Sequence, residues 1–292
     1  MIYEYAISPF LMADPRDMNF FNSSLGAEKG RLISDIPRKK WARLARKAIL
    51  KSDNKDVARK RLSASLDRLE RNVLFRRNTA PDVVSEKWMD HALAAHADRP
   101  FRAILTDAYD GDESFVLTND VDFEDEPLWR VPIDASVDRS AKGMIQAIQP
   151  MLDCAREIIL IDRNFDPDKY RWRPFLKELA FSLSQRAFSP SINKLSFHMG
   201  DRIGTNHVQL CCKKHFAAQL PPGMRIDFHI WPWDELHDRY VLTDLGGVRF
   251  GVGLDINDGS GQITVEIGRI SAEAHRRWWR LCKSREVRFS IP

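Results

Sequence analysis

Long apolar runs are missing from this chain of 292 residues. None approaches the ~18 residues that a membrane-spanning helix needs, so a membrane partner is not expected. The opening stretch Ile2-Tyr3-Glu4-Tyr5-Ala6-Ile7 lacks the basic segment and apolar core of a secretory signal. Cysteine is scarce. Cys154, Cys211, Cys212 and Cys282 form no C-x-x-C pair and no metal-ligand cluster. That argues against a disulfide framework and for buried thiols in a reduced cytoplasm. His198, His207, His215 and His229 stand on different elements without metal spacing. No metal and no cofactor is therefore expected. Internal repeats and low-complexity tracts are also missing. The length suits one large domain or two ordinary ones.

Charge is present, and its distribution says more than the net value of +4. Between Arg31 and Arg77 there are sixteen Lys and Arg against five Asp and Glu. Arg38, Lys39, Lys40, Arg43, Arg46, Lys47, Arg59 and Arg61 are the residues expected to meet the phosphates of DNA or RNA. From Asp107 to Asp138 the balance reverses, with eleven acidic residues and one Arg. Two readings of the basic stretch follow: a nucleic-acid surface, or a solvated face that pairs with the acidic run. The acidic residues are too bunched, and too short of glycine, for a calcium loop.

Taken in order, Tyr3, Tyr5 and Ile7 alternate as a short strand would. Ser34 and Asp35 are candidate caps, with Pro37 suited to a first helical turn. Trp41, Leu44, Ala45, Ala48 and Ile49 then recur at helical spacing, as do Leu62, Leu66, Leu69 and Val73. A third helix is expected through Val84, Trp88 and Ala92. Phe101–Leu105 and Ser114–Thr118 read as strands of a hairpin turning at Asp110-Gly111-Asp112. The acidic run after Thr118 reads as a linker carrying the domain boundary. From Ser136 onward helices and strands alternate, starting with the buried-strand run Ile158-Ile159-Leu160-Ile161. Alternation of this kind predicts an α/β fold with a mixed sheet. The expected domains are 1–125, basic and mainly helical, and 136–292, α/β.

One stretch carries chemistry. His237-Asp238-Arg239 and Asp244 stand at H-x-R-x-x-x-x-D spacing, followed by Gly246-Gly247. On a strand, His237 and Arg239 would project side by side while Tyr240 and Leu242 enter the opposite layer. An imidazole beside a guanidinium suits a phosphate or phosphodiester oxyanion. Asp162, Arg163 and Asn164 follow a strand, where open α/β sheets place ligands. Trp231 and Trp233 flank Pro232 and offer a wall for stacking a base.

The second half resembles a phospholipase D-like domain of the HKD superfamily. The residues that carry the resemblance are Ile158–Asp162 with Phe165, the His237, Arg239 and Asp244 set, and Gly251-Val252-Gly253-Leu254-Asp255. It looks closest to the MIT-associated C-terminal branch, whose H-D-R variant typically serves binding. The resemblance implies a phospholipase D-like α/β sandwich. In an active member His237 would be the nucleophile, Arg239 the phosphate clamp and Asp244 the orienting carboxylate. The sequence departs from the active pattern in three ways. Arg239 replaces a lysine, only one motif is present, and the downstream glycine segment lacks its hydroxyl and amide. The leading expectation is therefore a cytoplasmic protein that binds nucleic acid through a degenerate site, in a bacterial defence or mobile-element complex. The alternatives are a metal-independent nuclease, homodimeric through His237, and an adaptor for a protein partner or an anionic membrane surface.

Overall fold

A computed structural model describes the chain except residues 1, 76, 78–80, 82, 119, 120, 187–191, 193 and 260. Arg76 and Asp120, counted above in the charged runs, lie outside the described residues. The chain divides into two compact units, Ile2–Pro132 and Ile133–Pro292.

The first unit is an α/β layer structure. Its strands are β1 (Tyr3–Ile7), β2 (Arg31–Ser34), β3 (Leu74–Phe75), β4 (Ile104–Thr106) and β5 (Val116–Thr118). They form one sheet in the order β3-β2-β1-β4-β5, with every pair parallel. Helices α1 (Pro15–Ser24), α2 (Trp41–Lys51), α3 (Asp56–Asn72) and α4 (Trp88–Asp98) connect them. The expectation of a mainly helical domain is thus corrected: the helices cover a parallel sheet. Its strands run only two to five residues, and parallel strands covered on both faces show no polar alternation. The expected hairpin is corrected too, because β4 and β5 pair in parallel. An Asp-Gly turn is a local signal and does not fix strand direction.

Helix α2 starts at Trp41 rather than at Pro37. Lys39 adopts a left-handed φ of 62°, through which a helix cannot continue. Asp35 caps the start by accepting from the backbone N–H groups of Lys39 (3.0 Å) and Trp41 (3.3 Å). Trp41, Ala45 and Ile49 are fully buried, as their i, i+4, i+8 spacing requires. The Trp41 indole donates to the carbonyl of Ile7 at 2.6 Å, and that of Trp88 to Ile36 at 2.8 Å. These carbonyls end β1 and follow β2, so indoles fill the sheet edge where such folds otherwise admit ligands. The acidic stretch is no free linker. Phe123 stacks on Phe20, Trp129 is buried against Tyr5, and Arg31 donates to the Trp129 carbonyl.

The second unit is a mixed α/β structure. Its strands are β6 (Asp134–Asp138), β7 (Glu157–Ile161), β8 (Lys194–Gly200), β9 (Ile226–Trp231), β10 (Tyr240–Thr243), β11 (Gly247–Phe250), β12 (Thr264–Arg269) and β13 (Phe289–Ile291). The sheet order is β13-β9-β8-β7-β10-β11-β12-β6. Strands β7, β8 and β9 are parallel, and the remaining pairs are antiparallel. Helices α5 (Ala141–Cys154), α6 (Arg173–Ser184), α7 (Thr205–Phe216) and α8 (Ala272–Ser284) cover it. One core cluster joins Ile159, Ile161, Trp231, Leu236, Tyr240, Leu242 and Trp278. Among the described residues no helix is long and apolar enough to cross a membrane.

Candidate phosphate site

The strand directions bring one set of loops to a single edge of this sheet. The C-terminal ends of β7, β8 and β9 lie there. So does the N-terminal end of β10, because Tyr240 pairs antiparallel with Ile161. The registers of β11, β12 and β6 place Phe250, Thr264 and Asp138 on the same side. Residues 162–172, 201–203, 232–239, 251–255 and 139 therefore share one rim, though the chain spreads them over more than a hundred positions.

At its centre Asp162 is fully buried. Its carboxylate accepts from the backbone N–H groups of Asn164 and Leu254, both at 3.0 Å. Burial pushes its pKa up from the ordinary 3.8 to about 6, while those two bonds and the Arg239 cation pull the other way. Arg239 Nε is 4.0 Å from the carboxylate and is buried without a hydrogen-bond partner. Gly253 makes the approach possible. With φ at 130°, a Cβ there would sit 2.9 Å from an Asp162 oxygen and 3.0 Å from an Asp255 oxygen. Asp255, also buried, is held by Arg139 at 2.8 Å and Arg171 at 3.2 Å.

A cleft of about 370 Å³ opens on this rim. Its cations include Arg163 and Arg202 besides Lys169, paired with Asp166, and the Asp255 partners Arg139 and Arg171. Two guanidinium groups lie over the Trp233 ring, Arg202 at 3.5 Å and Arg163 at 4.6 Å from its centroid. Gly200 leaves room for that indole, since a Cβ there would lie 2.9 Å from Trp233 carbons.

Arg163 makes the most informative contact. Its Nη1 stands 2.8 Å from His237 Nδ1. A guanidinium has no lone pair and can only donate. His237 Nδ1 must then be the acceptor, and in the neutral ring the proton sits on Nε2. His237 is exposed, so that N–H is offered outward as a donor.

The expected site residues fall into separate places. His237 and Arg239 are not neighbours on a strand face; they lie in the loop before β10. Buried Leu236 and Tyr240 anchor the two ends of that loop in the core, which turns the residues between them out onto the rim. Asp244 does not join them. It lies past the opposite end of β10 and accepts from the backbone N–H groups of Arg156 and Glu157. Four strand residues at roughly 3.3 Å each separate the two positions. Asp162 lies at the centre and Asn164 lines the cleft, as does Trp233. Trp231 does not line it: as the last inward residue of β9 it is buried, donating to His198 Nδ1 at 2.9 Å.

In the first unit Arg38, Lys39, Lys40, Arg43, Lys47 and Arg61 are exposed. Arg46 is spent on Asp67 and Glu70 of α3, and Arg59 on Asp56 and the Ser52 carbonyl.

Sequence reading missed Arg202, one of the two cations on the indole, though it named Arg163, the other, from its place at a strand end. Arg202 likewise directly follows an aspartate just past a strand, which was the available signal. Sequence reading also missed that His207 and Cys211 meet Asp168. Their four-residue spacing on a helix was the signal.

No protein-family model matches the sequence, and no curated protein matches it. Among solved structures, one described as "TrmBL2, an archaeal chromatin protein" with "a novel mode of DNA binding" is similar at 11% identity and a TM-score of 0.31. The match covers 54% of this chain and 55% of that one. A likeness so slight carries no argument about fold or function.

Proposed function

We propose that the second unit binds a phosphodiester, with a nucleic acid as the natural source, and does not cleave it. The observation that carries this reading is the Arg163–His237 contact. A nucleophilic imidazole needs a lone pair facing the phosphorus. Here the lone pair is directed at Arg163 and the outward nitrogen bears hydrogen. That arrangement makes His237 a second donor to a phosphate oxygen, beside the cations of Arg163 and Arg202. The guanidinium planes of Arg163 and Arg202, laid over the Trp233 ring, are the surface on which a base would stack. Arg239 stays with Asp162, holding charge balance under the site. The phospholipase D-like resemblance fits this reading as a degenerate member, and the exposed cations on and before α2 supply a further contact surface for the same class of ligand.

The test is fluorescence anisotropy with a labelled single-stranded oligonucleotide, with recovery of the intact strand checked on a gel. Arg163→Ala removes a charge-assisted contact of roughly 1.5–3 kcal/mol, so affinity drops about 10- to 150-fold. Binding of the parent protein weakens steeply with salt. Cleavage that persists in EDTA and disappears in His237→Ala would refute the proposal. So would affinity unaffected by Arg163→Ala.

A further inference from the structure

Beside the phosphate cleft, three groups of different chemistry converge. His207 and Cys211 sit four residues apart on α7 and so share one face. Asp168 reaches them from the loop that follows β7. Cys211 Sγ is 3.6 Å from His207 Nε2 and 3.9 Å from an Asp168 oxygen. His207 Nε2 is 3.8 Å from the other Asp168 oxygen. Zinc bound at its usual distances of about 2.0–2.3 Å would set its tetrahedral ligands roughly 3.3–3.6 Å apart. The two edges to Asp168 end on different carboxylate oxygens; with one oxygen as ligand, the three donor atoms all lie within 4.8 Å of one another, so a turn of the exposed Asp168 side chain would close them on an ion.

The donor set is mixed: one thiol, one imidazole and one carboxylate. Thiolate and imidazole together select zinc over magnesium or calcium. Asp168 and His207 are exposed while Cys211 is 8% exposed, so an ion can enter and the sulfur is shielded. Hydrogen bonding alone explains the cluster less well. The sulfur contacts at 3.6 and 3.9 Å are weak hydrogen bonds, and the carboxylate–imidazole pair at 3.8 Å is beyond hydrogen-bond length. Two side chains oppose a cation: Lys214, whose charge acts on Cys211, and Arg173, which donates to the Asp168 carbonyl and has a nitrogen 4.0 Å from its carboxylate. The Asp168 charge and a Cys211 thiolate would balance a divalent ion.

We propose that Asp168, His207 and Cys211 form a zinc site with three protein ligands. The ion clips the loop of residues 162–172 to α7. That loop carries Arg163, Lys169 and Arg171, so zinc would brace one wall of the phosphate cleft. The site stands on its own ligands and does not depend on what the cleft binds.

The test uses the full chain, stripped with a chelator and titrated with zinc in a calorimeter, then with cobalt(II) as a spectroscopic probe. The expected result is one ion per chain. Cobalt should give a thiolate charge-transfer band and the strong visible bands of a four-coordinate ion. The other cysteines, Cys154, Cys212 and Cys282, are almost wholly buried, so the thiolate signal reports Cys211. Loss of an outer partner of a metal ligand costs 10–100-fold. His207→Ala and Asp168→Asn, both at exposed positions, should therefore weaken zinc by at least about 100-fold. Cys211→Ser should abolish the charge-transfer band. No bound ion, cobalt without a thiolate band, or zinc affinity unchanged in His207→Ala would each overturn the proposal.

Discussion

Replacing Arg239 by Met should change the protein most when Asp162 is charged. Asp162 is the fully buried carboxylate under the cleft, and its pKa stands at about 6 against the ordinary 3.8. That difference corresponds to about 3 kcal/mol. Between these values the folded chain keeps a proton that the unfolded chain has released. Stability from this group is greatest below pH 4 and is lost as pH rises through about 6. Above that, the charged form rests on two backbone N–H groups and on Arg239 at 4.0 Å. Two unit charges at that distance attract by about 4 kcal/mol at an effective dielectric of 20. Arg239 is 24% exposed, so solvent screening brings this to roughly 2 kcal/mol. Without the cation the Asp162 pKa should climb by roughly one to three pH units. Carboxyl carbon-13 titration by NMR, assigned with Asp162→Asn, reads this directly. Urea unfolding gives the second readout: Arg239→Met should cost roughly 2 kcal/mol at pH 8 and much less at pH 5. An Asp162 that titrates near 3.8, or an equal loss at both pH values, would refute the reasoning.

Three other outcomes are expected. Gly253→Ala would press a methyl group onto two carboxylate oxygens and strain a φ of 130°, costing roughly 2 kcal/mol or more; unchanged thermal stability would contradict that. His198 stacks on His229 at 4.2 Å and is buried, and burial takes its pKa down to about 2. The folded ring stays neutral while the unfolded one takes up a proton below about 6.5, so this group's contribution is full above pH 6.5 and is lost as pH falls. Imidazole NMR should show no His198 protonation at pH 5. Charge reversal of Lys39, Arg43 and Lys47 together should flatten the salt dependence of nucleic-acid binding by about three ion releases; an unchanged slope would place the contacts elsewhere.

How far residues alone reveal this molecule depends on the range over which each signal acts. Trp41, Ala45 and Ile49 announce α2 because helical spacing is local, and Ile158–Ile161 announces β7 because four apolar residues in a row need burial. Arg31–Ser34 and Leu74–Phe75 gave no such sign, being too short to show a period. The direction of β5 was hidden because pairing partners are chosen through tertiary contacts. In the site, Asp162 and Asn164 were visible from their place at a strand end. Asp244 was misplaced because motif spacing was read as spatial proximity, although a strand separates the motif's two ends. The Arg163–His237 contact joins residues 74 apart, and no local pattern encodes it.

Whether His237 is a donor or a nucleophile rests on one proton. Nitrogen-15 NMR of the His237 ring near pH 7.5 locates it. An unprotonated Nδ1 with hydrogen on Nε2 is expected, changing in Arg163→Ala. Hydrogen on Nδ1 with a bare Nε2 would instead equip His237 to attack phosphorus and would contradict a site that only holds its ligand.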